Sequence, residues 1–172
     1  SSHMVDQCWL SEREKPQGEQ DWAKVLSFID ELNTMLCVQE SESLRVAVSR
    51  SKAVVYADYL KRRDQANAIL DALSEINNPD AYFLVNYSKG CFALDESDFS
   101  ATVEFLTIAE NTIGESFGYY RLATTRQLVI ALEWQNEWEL AKKYCLKVIR
   151  DFREYDFKSE KLEFCELLGE LA

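Results

Sequence analysis

Glycine and proline are scarce in this chain, with five Gly and two Pro among 172 residues. A many-stranded sheet needs turn residues every few positions, so this scarcity argues against an all-β fold. Histidine is scarcer still. The single His3 lies in the opening "SSHM", which reads as residual cloning sequence. No His-based metal site and no Cys–His or Ser–His–Asp device can therefore be assembled. Phosphate-binding Gly-rich loops are missing as well, and no cofactor is implied. No apolar run reaches the ~20 residues of a membrane span. Cations are in deficit, 19 against 30 acidic residues, for a net charge of −11. That argues against direct binding of nucleic acid or an anionic membrane, both of which rest on Lys and Arg neutralising phosphates. The five cysteines (Cys8, Cys37, Cys91, Cys145, Cys165) are odd in number and include no CxxC. They fall mostly in apolar periodic segments and read as reduced thiols of a cytoplasmic protein, with Cys91, Cys145 and Cys165 shielded.

What is abundant is helical periodicity. Hydrophobic residues make up 47% of the chain, enough for one domain with a sizeable core. After a lead that ends at Pro16 and Gly18, "DWAKVLSFIDELNTML" puts Trp22, Val25, Phe28, Ile29, Leu32 and Leu36 on one helical stripe. Further helices are expected from about 41 to 60, over "RRDQANAILDALSEI", from about 80 to 94 and over "DFSATVEFLTIAENTIG". Three more should span about 119–134, 137–153 and 157–171. "NNPD", "DESD", "ESFG" and "QNE" supply the turns. Residues 1–18 are thus a cloning remnant and lead, and 19–172 a helical domain closed by a C-terminal capping helix.

The helices repeat. "VSRSKAVV" (Val48–Val55) returns 37 residues later as "VNYSKGCF" and 37 later again as "LATTRQLV". Asp21, Trp22, Val25, Phe28, Ile29, Leu32 and Leu36 return 77 residues on as Asp98, Phe99, Thr102, Phe105, Leu106, Ala109 and Ile113. A further 39 on they are Glu137, Trp138, Ala141, Tyr144, Cys145, Val148 and Phe152. The copy between them holds Ala66, Ile69, Leu70 and Leu73. Two interleaved series, one per helix of a pair, describe helix pairs that bury their apolar faces only by stacking on the next pair.

These residues resemble the tetratricopeptide repeat. Ala53 and Gly90 match the small eighth residue of its first helix, "DFSAT…FL..A" and "EWELA…YC..V" match its second helix, and Pro79 its terminal proline. The repeats here run 36–41 residues, longer than the family's, and the resemblance covers roughly 20–155. It implies an all-α solenoid of antiparallel helix pairs wound as a right-handed superhelix, with the first helices lining a concave groove that holds a peptide or helix of a partner protein.

The row Lys52, Lys89, Arg126 places one cation per repeat at equal intervals and suits an acidic segment of that partner. Segment 41–63 is the basic part of the chain, with six cations against Glu42 and Asp58, or +4. The same spacing also suits cations that pair with carboxylates of the next helix. On the groove reading, Arg50, Leu84, Tyr87, Cys91, Thr124 and Leu128 face the ligand too. The acidic stretches "EREKPQGEQD" and "DESD" lack Ca-loop spacing and read as solvated turns. The expected function is a non-catalytic protein-interaction module. The alternative is a sensor or regulatory domain of a larger signalling protein or transcription regulator.

Overall fold

The computed structural model describes residues 8, 10–38, 42–114 and 120–151, and every described element is helical. The described α-helices are α1 (Trp22–Val38), α2 (Glu42–Val54), α3 (Arg63–Ser74), α4 (Pro79–Asp95), α5 (Phe99–Thr112), α6 (Arg121–Trp134) and α7 (Trp138–Asp151). A 3₁₀ turn, Gln17–Glu19, precedes them, and α2 runs on into one π turn, Val55–Tyr59. The breaks after α3, α4 and α6 fall at the expected turns "NNPD", "DESD" and "QNE", and "ESFG" lies outside the described residues. The helix expected over about 157–171 lies outside the described residues. Among the described residues, no helix is long and apolar enough to cross a membrane.

The chain forms two compact units, Ser1–Ser88 and Lys89–Ala172, with the boundary inside α4. In the first unit α1 packs on α2 and α2 on α3; in the second, α5 packs on α6 and α6 on α7. This is repeat-like packing of all-α pairs.

The repeat is visible in the backbone. Lys61, Ser97 and Asn136 adopt left-handed conformations (φ 54°, 61° and 62°), each just ahead of the second helix of a pair. A non-glycine residue there costs about 1–2 kcal/mol, which the surrounding bonds offset. Asp98 N–H donates to Ala93 C=O and Glu137 N–H to Leu132 C=O, both at 2.9 Å, capturing carbonyls that the helix end leaves open. The Asp98 carboxylate then accepts from Ala101 N–H, and the Asp21 carboxylate from Lys24 N–H, both at 3.0 Å.

The second helices hold their repeat slots. Ile29, Leu70, Leu106 and Cys145 are completely buried, and so are the small residues Ala66, Thr102 and Ala141. Gly90 shows why one first helix needs a small residue: a Cβ there would lie 2.5 Å from Leu106 Cδ2 and 2.6 Å from its Cγ.

The first helices require one correction. The hydrogen bonds that close α4 (from Glu96, Ser97 and Asp98) recur at the end of α6 from Gln135, Asn136 and Glu137, 39 residues on rather than 37. Burial agrees. At an interval of 39, Val85, Asn86, Gly90, Phe92 and Ala93 correspond to Thr124, Thr125, Val129, Ala131 and Leu132, all buried. At 37, exposed Asp95 would correspond to buried Leu132. Two residues are about 200° of helical rotation, so Arg126 does not occupy the slot of Lys89. Between the first and second copies the interval falls from 37 to 36, and the π turn of α2 takes up the extra residue.

Candidate functional site

Four of the nine side chains expected in an open groove belong to the core. Leu84, Tyr87, Thr124 and Leu128 are buried. Along α4, all of Ala81–Ser88 except Tyr82 is buried. Such a helix is apolar around most of its circumference, so burial rather than one stripe sets its contacts. Thr124 donates its hydroxyl to Tyr120 C=O at 2.9 Å, which satisfies it inside the core.

The remaining five divide by partner. Arg50 is half-buried, its guanidinium 5.6 Å from the Tyr87 ring centroid and its Nε donating to Ser88 Oγ at 3.0 Å. It braces α2 against α4 within the first unit. Lys52 pairs with Asp30 of α1 at 2.6 Å, the pairing with a neighbouring helix that the spacing also allowed. Cys91 is half-buried and donates its thiol to Gln127 Oε1 at 2.9 Å. Lys89 is half-buried and Arg126 exposed. The equal spacing of the three cations therefore does not translate into three equivalent positions.

The fold instead opens a cleft in the first unit that sequence reasoning missed. Its volume is about 640 Å³. Val46 of α2 and Ile69, Leu73 and Ile76 of α3 and its following turn give it an apolar floor, and Ala68 and Ala72 keep the trough open. Asn33 of α1 and Arg45, Ser49, Lys52 and Glu42 of α2 supply the polar margin. Ser49 Oγ donates to Asn33 Oδ1 at 3.4 Å, and Asn78 Nδ2 donates to the Glu42 carboxylate at 2.9 Å. Arg45 is exposed. The signal in the sequence was the pair of alanines on an otherwise large-residue helix face. Their neighbours across the trough come from other helices, so linear spacing could not show it.

A second polar constellation is structural. Glu110 of α5 is buried, accepting from Thr125 at 3.2 Å and from Lys147 Nζ at 2.8 Å, with Arg121 at 3.9 Å. Thr125, in the slot of Asn86, helps satisfy this carboxylate, which links α5, α6 and α7. Cys8, Cys91 and Cys145 are free thiols. Burial pushes the Cys145 thiol up to about 11, so it is far from a reactive thiolate. Cys8 is raised too, first by burial and then by Glu12. No group of His, Cys, Asp and Glu among the described residues could hold a metal ion.

The chain matches no family model, no curated protein and no solved structure. Fold and site together define the class: an all-α protein of repeat-like helix pairs.

Proposed function

We propose that the chain is a protein-interaction module whose α1–α2–α3 cleft receives an amphipathic segment of a partner protein. One observation carries this reading: an apolar floor of Val46, Ile69, Leu73 and Ile76 lies beside the cations Arg45 and Lys52. An amphipathic helix or peptide lays its apolar anchors on such a floor. Its acidic residues then meet the cations, which fix its direction more than they add to affinity. This is a narrower form of the groove expectation: it keeps Lys52, which also pairs with Asp30, and leaves out the buried positions. Arg126 and Lys89 lie in other surroundings and are not part of it.

The test uses a capped amphipathic peptide with Leu anchors and Glu on one side. It should bind the intact chain, weaken with salt, and lose at least about tenfold in affinity on Arg45→Glu with Lys52→Glu. Ala72→Trp should block the trough, since an exposed substitution on a helix surface usually costs within ~0.5 kcal/mol of stability. Binding that survives both changes would move recognition away from the cleft.

A further inference from the structure

The second unit contains a ring pair, Phe99–Trp134, that repeats the pair Trp22–Tyr59 of the first. In each, one ring follows the acid at the start of a second helix (Asp21, Asp98) by one residue. The other precedes the left-handed turn residue (Lys61, Asn136) by two. Trp22 stacks on Tyr59 with centroids 3.9 Å apart, and Phe99 stacks on Trp134 at 5.4 Å with the planes 2° from parallel.

What covers the two pairs differs. The first is covered by the preceding chain. Cys8 packs against the cluster that contains Trp22, Gln20 accepts from the indole Nε1 at 3.2 Å, and Arg13 hydrogen-bonds the Tyr59 side chain. Trp22 is left 8% exposed and Tyr59 half-buried, whereas Phe99, in the place of Trp22, is half-buried. Trp134 is 68% exposed, and Trp138, at the start of α7, is 47% exposed. Contiguous apolar surface marks interaction sites, and Trp is enriched among the residues that anchor them.

Charge decides what fits there. No Lys or Arg occurs from 90 to 120 or from 127 to 141. Glu96, Asp98, Glu137 and Glu139 are exposed and flank the three rings in sequence. We propose that Phe99, Trp134 and Trp138 form a second docking surface, beyond the cleft, for an arginine-bearing and otherwise apolar segment of a partner protein. The guanidinium stacks on the indole faces and pairs with the flanking carboxylates, and the apolar residues cover the Phe99–Trp134 pair. In the first unit, too, an arginine of the chain lies beside the ring pair, Arg13 hydrogen-bonding the Tyr59 side chain. A second copy of this chain is the poorer occupant, because each copy carries −11 and two copies repel.

The test uses the full chain and two capped hexapeptides, one alternating Leu and Arg, the other Leu and Glu. The four indole N–H signals (Trp9, Trp22, Trp134, Trp138) are followed by NMR. The Leu–Arg peptide should shift Trp134 and Trp138 and leave Trp22 in place, and the Leu–Glu peptide should shift neither. Trp134→Ala, and separately Glu137→Lys with Glu139→Lys, should weaken binding at least about tenfold, while Trp134→Phe keeps most of it. Unchanged affinity in Trp134→Ala would reduce the effect to bulk charge and overturn the proposal. Equal binding of the Leu–Glu peptide would overturn it, as would a doubled mass in sedimentation that buries the same indoles.

Discussion

Tyr59 and Trp134 hold the same place in ring pairs built by the same repeat, yet Tyr59 is half-buried against a nearly sealed Trp22 and Trp134 is mostly in water. The local causes are the same in both places: a second-helix start, a left-handed turn residue, and an aromatic on either side. The difference comes from chain outside the repeat. Cys8, Arg13 and Gln20 lie against the first pair, and Glu12 anchors this lead by accepting from Asp21 N–H and from Lys15 Nζ. A helical repeat therefore specifies stacking geometry without specifying which of its rings become core.

The contrast can be broken most directly by truncating the two tryptophans. Trp22→Ala should cost about 3–5 kcal/mol, the usual range for a buried large aromatic. Trp134→Ala should cost only about 0.5–1.5 kcal/mol, the worth of an aromatic pair beyond its buried area. Urea unfolding followed by circular dichroism measures both, and equal costs would mean that the covering of Trp22 contributes nothing.

A smaller effect should come from the close approach inside the second unit. Gly90→Ala puts a methyl group against Leu106. We expect a loss of about 1–3 kcal/mol from overpacking, despite the helix propensity that favours alanine. Leu106→Ala combined with Gly90→Ala should recover less than additively, because the two changes share one space. A neutral or stabilising Gly90→Ala would show that Leu106 can turn aside.

The smallest effect is pH-dependent and confined to the cover of the first pair. The Glu12 carboxyl is held below the ordinary glutamate range, first by the Asp21 N–H and then by Lys15. A depressed carboxylate contributes stability above its unfolded value, about 4.3, and loses it as pH falls through the lower folded value. The difference in unfolding midpoint between the native chain and Glu12→Gln should be constant from about pH 6 to 8 and close below about pH 4. A difference that persists in acid would assign the effect to packing of the side chain rather than its charge.

The helices, most of their breaks and the second-helix slots were legible along the chain. Each of these depends on residues three or four apart on one helix, or on a turn beside it. Ile29, Leu70, Leu106 and Cys145 are buried because one periodicity and one turn pattern recur, and both can be read along the chain. The rest depends on how the helices pack. Leu84, Tyr87, Thr124 and Leu128 became core because neighbouring helices cover most of α4 and α6, and the sequence of those two helices carries no single apolar stripe to show which side stays open. Arg126 left the cation row because the end of α6 fits α4 at 39 residues rather than 37, and a two-residue difference turns a side chain to the far side of its helix. The cleft between α1, α2 and α3 and the open ring pair at Trp134 are likewise made by what lies opposite a helix face, a relation between residues far apart in sequence that no local spacing records.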